Sequence, residues 1–180
     1  MATPKKTQQA TTIETPQEAQ EAQAEQVVLK VKRLHKDALL PQRMTSGAAG
    51  YDIALYDYVT IHPKRIGVPQ TMIKTGIALE IPKGYHAKVF LRSSIGLKTD
   101  IRLANGTGII DSDYRGELKL IVENIGQYAC FFNPGDRIAQ VVIEKNTDVL
   151  LEEVDNLSET ERGENGIGST NNNNNNVNEK

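Results

Sequence analysis

The 180-residue sequence has no tryptophan and a single cysteine, Cys130. One cysteine excludes a disulfide framework and any zinc site built from several thiolates. No run of 18 apolar residues occurs, which excludes a membrane-crossing helix. Aromatic residues amount to only 5%, and all nine lie between Tyr51 and Phe132. Positive charge is scarce at both ends. Residues 1–26 set Lys5 and Lys6 against Glu14, Glu18, Glu21 and Glu25, and residues 146–180 set Arg162 and Lys180 against eight acids. The overall charge of −2 therefore conceals a middle of 17 bases and 11 acids, a net of +6.

The terminal segments offer little to bury. Residues 1–26, rich in Gln, Thr, Ala and Glu, are expected to be a disordered tail, with a frayed helix over Thr15–Gln26 as the alternative. They contain no apolar h-region of a secretory signal, and their early acids and lack of Arg argue against a transit peptide. Pro4-Lys5-Lys6 is too short for a nuclear signal, so a soluble intracellular protein, cytoplasmic or nuclear, is expected. Asn171–Asn176 is a low-complexity run that closes a tail over 171–180.

Between the tails the pattern is one of strands. Alternation or β-rich composition marks 27–32, 71–81, 87–91, 117–123 and 137–144, with Leu118, Leu120 and Val122 on one face of the fourth. Turn residues such as Pro82-Lys83-Gly84 separate the runs, and no segment holds a 3.6-residue period. An all-β sandwich or barrel is expected.

Three polar clusters could carry chemistry. In Asn105–Glu117, Asp111 and Asp113 share one side of an extended chain and Tyr114 takes the other. Such a segment reads as a hairpin tip, or, with Ile109-Ile110 before Asp111, as a carboxylate at the edge of a buried site that can take a proton from water. Arg92-Ser93-Ser94 follows an apolar strand and reads as a polar turn or as an oxyanion contact, since Arg presents a rigid fork for phosphate oxygens. Arg162–Thr170 has the glycine spacing of a phosphate loop, but Ser169 stands where its lysine belongs, and asparagines follow where a helix is needed. His35, His62 and His86 show no metal-ligand spacing and are expected to be surface or packing residues, while Cys130, beside Phe131-Phe132, is expected to be a buried thiol.

In this order, the clusters resemble the five motifs of the trimeric dUTPase family: Ala49–Ile53, Arg92–Ser94, Asn105–Gly116, Gly135–Gln140 and Arg162–Thr170. The resemblance covers about residues 27–170 and implies a jelly-roll-like β-barrel over 27–157 with a glycine-rich arm over 158–170. It implies a homotrimer with shared active sites that hydrolyses dUTP to dUMP and diphosphate with Mg²⁺, keeping uracil out of DNA and supplying dUMP for dTMP synthesis. Carried over, Asp111 activates the attacking water and Tyr114 packs under the deoxyribose. Asn105, Gly108 and Ile110 border the uracil. Arg92, Ser93, Ser94 and Gln140 hold phosphates, Arg137 is a further base, and Asp52 holds a water on Mg²⁺. Arg162, Gly168, Ser169 and Thr170 close as a lid. Ile167 stands where the family's arm carries a phenylalanine that stacks on the base, an expected loss of about 1 kcal/mol. Asn165 and Asn171 replace glycines of the family arm.

The competing readings are a dCTP deaminase-like enzyme of the same fold, which shares the Arg-Ser-Ser stretch, and a non-catalytic nucleotide-binding trimer. No nucleic-acid partner is expected, because the net +6 of the middle forms no basic run.

Overall fold

A computed structural model describes residues 27–65 and 70–166. The tail over 1–26, the arm residues Ile167, Gly168, Ser169 and Thr170, and the Asn run lie outside the described residues. The chain divides into two units, 1–147 and 148–180.

The first unit is all-β and jelly-roll-like, and its described residues form ten strands and one short helix: β1 (Lys30–Arg33), β2 (Tyr51–Ala54), β3 (Val59–Ile61), β4 (Thr71–Glu80), β5 (Tyr85–Leu91), α1 (Ser93–Lys98), β6 (Ile101–Leu103), β7 (Gly108–Ile110), β8 (Glu117–Asn124), β9 (Cys130–Phe132) and β10 (Arg137–Lys145). They form two four-stranded antiparallel sheets, ordered β1-β4-β8-β6 and β2-β10-β5-β7, and a β3-β9 ribbon. Alternation explains the core. Leu118, Leu120 and Val122 of one sheet and Ile53, Val89 and Val141 of the other are buried in a single apolar cluster. Each such side chain contributes about 1.5–3 kcal/mol by leaving water. Among the described residues no helix is long and apolar enough to cross a membrane.

Two polar devices shape the first sheet. The register of β4 on β8 shifts between Lys74 and Ala78. There the Thr75 hydroxyl donates to Leu118 O at 2.6 Å, and the Gly76 amide donates to Glu117 Oε1 at 2.8 Å. Gly76 has φ +70°, and a Cβ there would lie 2.8 Å from Ala38 Cβ and 2.9 Å from the Tyr56 ring, so only glycine fits. Farther along β8, Glu123 is only 6% exposed and binds both Lys64 and Arg102, the latter at 2.6 Å. The neighbouring Asn124 is buried and donates to Ile61 O and Tyr128 O at 2.9 and 2.7 Å, tying the β3-β9 ribbon to this sheet.

The expected buried thiol is half-buried. Cys130 packs against the core edge and accepts a weak hydrogen bond from Asn124 Nδ2. Helix α1 is an element that periodicity does not reveal, because six residues span less than two turns.

Two outcomes follow for stability. Gly76→Ala is expected to cost roughly 2–4 kcal/mol in urea unfolding, through the left-handed backbone and the closeness of Ala38 and Tyr56. The hydrogen bond from Lys64, and then that from Arg102, holds the Glu123 carboxyl below its ordinary 4.5. A depressed carboxyl stabilises the fold above its unfolded value and loses that effect as pH falls through the folded one. Glu123→Gln is therefore expected to lower the Tm at pH 7, with the gap to the wild type closing as pH falls below 4.5.

Candidate active site

The sequence-predicted residues fall into two groups on the second sheet. The first surrounds Asp52 on β2. Cross-strand register places Gln140 of β10 directly opposite it, so the two side chains share a face. Arg92 caps α1 just beyond β5, and its backbone amide donates to Ile138 O at 3.0 Å. Its Nε lies 3.0 Å from Asp52 Oδ2, and its Nη1 donates to Arg137 O at 3.1 Å. Arg137 Nε lies 3.6 Å from the same Asp52 oxygen. The Asp52 side chain is 11% exposed, and Oδ2 makes these ionic contacts off the hydrogen-bonding axis, so it has no hydrogen-bond partner.

Two guanidiniums against one carboxylate leave this group net positive. It opens on a cavity of about 660 Å³ that Arg33, Asp136 and Phe131 also line. Ser93 and Ser94 occupy the first turn of α1, and their hydroxyls make no hydrogen bond among the described residues. The arrangement can take up an oxyanion on the arginine forks.

The second group follows the crossover from β6 to β7, which passes from one sheet to the other. Gly108 lies against Val89, with the Asn105 amide 3.8 Å from where a Cβ at 108 would sit. Ile110 packs against the core, whereas Ile109 faces outward and is 52% exposed. Asp111 comes immediately after β7 in an exposed turn, in which Tyr114 N donates to Asp111 O at 3.2 Å. Its carboxylate has no hydrogen bond or ion pair among the described residues.

Arg115 fastens the turn by donating to Ser112 O and Tyr114 O at 2.6 and 3.0 Å. The Tyr114 hydroxyl donates to Glu117 O at 3.1 Å, and the side chain lies where a Cβ at Gly116 would be, with the hydroxyl 2.4 Å and the nearest ring carbon 2.5 Å from it. A cleft of about 370 Å³ runs past Asp111 and Tyr114, between Met72, Ile109, Lys119 and Ile121.

The chain keeps the two groups apart. The pairing Ala87↔Ile110 and Val89↔Gly108 brings Asp111 beside the start of β5, while Arg92 follows its last residue. Six residues of strand amount to about 20 Å. Asp52, Arg92, Arg137 and Gln140 therefore meet in one place, and Asp111 and Tyr114 in another.

In the second unit, residues 148–166 have no helix or strand and are exposed. Arg162 Nε donates to Asn165 O at 2.9 Å within a turn, and Gly163 N donates to Thr160 O at 3.1 Å. Sequence reasoning did not single out His86 or Asn146 for this region. His86 and Asn146 border Asp111 through strand register alone, a signal that spacing along the chain does not carry.

A family profile described as dUTPase matches residues 36–171. The deoxyuridine 5'-triphosphate nucleotidohydrolase of Syntrophotalea carbinolica is 44% identical over 146 residues, which are 80% of this chain and 97% of that protein. That of Hydrogenobaculum is 42% identical over 143 residues, 79% and 96% of the two chains. Among solved structures, the Staphylococcus bacteriophage 80alpha dUTPase with dUpNHpp superposes with a TM-score of 0.72 at 31% identity, covering 79% of this chain and 97% of its own. The dUTPase from phage phi11 of S. aureus, whose structure concerns the coordination of a structural Mg(II) ion, gives 0.64 at 28% identity, with coverages of 72% and 97%.

The two arginines are about one-third exposed, so neutralising Asp52 has a modest effect on folding. Asp52→Asn is expected to lower unfolding free energy by roughly 1 kcal/mol at low ionic strength, with the loss shrinking in high salt.

Proposed function

Because the chain belongs to the dUTPase family, and is thus a nucleotide hydrolase, we propose that it converts dUTP and water to dUMP and diphosphate in sites shared between subunits of a homotrimer. The observation that carries this reading is Asp111, an unpaired carboxylate at a cleft with Tyr114, in the chain of a family whose relatives are named for this reaction. In this reading Asp111 takes a proton from water as its oxygen bonds to the α-phosphorus. The bond from that phosphorus to the bridging oxygen breaks, and diphosphate leaves. Such a base contributes about 10²–10⁴ to the rate. Tyr114, held by Glu117 O, offers the sugar a flat apolar surface. Asn105 and the Gly108–Ile110 backbone border the base.

The phosphates need cations, and Arg92 lies about 20 Å from Asp111 in its own chain. A second subunit that brings its Arg92, Ser93, Ser94, Arg137 and Gln140 to the first subunit's Asp111 removes the gap. Exposed Val149, Leu150, Leu151, Val154 and Leu157 in the second unit support assembly, since apolar residues in such number call for a cover. The arm, 158–170, is the segment that brings Arg162, Ile167, Gly168, Ser169 and Thr170 to the site.

For Mg²⁺, the donor set fits a water-mediated contact. Among the described residues no cluster of three or more His, Cys, Asp or Glu could hold a metal directly, and Asp52 offers one buried oxygen lacking a hydrogen bond. Asp52 would accept from a water on the ion, which would otherwise be held by the substrate's phosphates and further waters. When bound, the ion neutralises charge on the triphosphate.

The test is diphosphate release from a panel of dUTP, dCTP, dTTP and UTP. dUTP alone is expected to be consumed, and ammonia release from dCTP would replace this reading by deamination. Asp111→Asn is expected to lower kcat by about 10²–10⁴ with little change in KM. Ile167→Phe is expected to lower KM for dUTP about fivefold, as gained stacking of about 1 kcal/mol dictates. Removal of divalent cations with EDTA is expected to suppress hydrolysis, and added Mg²⁺ to restore it.

A further inference from the structure

Asp111 has a titratable neighbour. The pairing Lys88↔Ile109 and Ala87↔Ile110 ends one residue before Asp111, so the turn after β7 begins beside His86 at the start of β5. On its other side His86 pairs with Glu144 of β10, which places Asn146 two residues beyond. His86 Nδ1 lies 2.7 Å from Asn146 Oδ1, and the backbone N–H of Asn146 donates to Gly84 O at 2.8 Å. A cavity of about 550 Å³ is lined by His86, Asp111, Ser112, Asp113, Tyr85 and Asn146. Four charged groups face the imidazole. Asp111 and Asp113 come from the turn, and Lys88 and Glu144 are paired with each other at 2.6 Å.

The amide oxygen of Asn146 is an acceptor only, so Nδ1 carries a proton and donates it. A second proton therefore goes to Nε2, the nitrogen left free. We propose that His86, held by Asn146, is a positioning residue for Asp111: the imidazolium pairs with the carboxylate and withholds it as a base, and the neutral ring releases it. This rests on the assignment of Asp111 as the water-activating group. The Lys88–Glu144 pair cancels its own charge, which leaves the two aspartates as the anions that respond to the ring. Histidine is the side chain whose ordinary charge change falls between about pH 5 and 8.

The test compares kcat/KM for dUTP across about pH 6 to 8.5 in the wild type, His86→Gln and His86→Lys. The ratio of His86→Gln to wild type is expected to fall about fivefold from the acid to the alkaline end, over the window in which histidine loses its charge. His86→Lys, charged throughout, is expected to be slower than His86→Gln at every pH. A ratio that stays flat with pH overturns the proposal. A second measurement needs no turnover. In NMR titrations, Asp111→Asn is expected to move the His86 midpoint down, since it removes a nearby negative charge. An unmoved midpoint also overturns the proposal. If the wild type does not hydrolyse dUTP, the functional reading falls, and the NMR titration still decides whether the two groups are coupled.

Discussion

The seven residues of β5 hydrogen-bond to β10 along one edge and to β7 along the other, and this double register positions every candidate group of the barrel. At its end, β5 delivers Arg92 into the field of Asp52, with Arg137 and Gln140 supplied by β10. At its beginning, it sets His86 next to the turn that carries Asp111. A strand cannot be shortened or slipped by one residue without turning every side chain to the opposite face. Because Val89 and Ala87 are core residues of the same strand, the apolar cluster fixes the 20 Å spacing between the two groups. Packing, rather than any polar contact, separates them.

Charge follows the same division. The first group concentrates guanidinium charge around one buried carboxylate, an environment suited to a polyanion. The second exposes carboxylates and an aromatic ring in a turn where Asp111 has no ion pair among the described residues. In the proposed assembly, one end would hold phosphates and the other would take a proton, and a site joined from two copies would use both.

Long strands were legible because alternation over seven or more residues leaves a pattern. Leu118, Leu120 and Val122 marked β8 in this way, and the runs at 71–81 and 137–144 nearly coincide with β4 and β10. The run at 27–32 marked β1, although the strand itself is Lys30–Arg33. β3, β6, β7 and β9 have three residues each, too few to show a period, and are strands only because a partner is beside them. The same reason hid His86. Ile109-Ile110 suggested a carboxylate at the edge of a buried site, yet only Ile110 meets the core, because adjacent strand residues face opposite ways. Motif order implied which residues act together, and register shows that within one chain they fall into two separate groups.

Whether Arg92 and Asp111 act in one site across a subunit boundary is decided by complementation. Arg92→Ala and Asp111→Asn are prepared separately, each with little activity, then unfolded, mixed in equal amounts and refolded. In a mixed trimer a site is whole when its Arg92 comes from the Asp111→Asn chain and its Asp111 from the other, so dUTP hydrolysis is expected to return to about one quarter of the wild-type level. A mixture that forms trimers and remains as inactive as its two components would contradict the account.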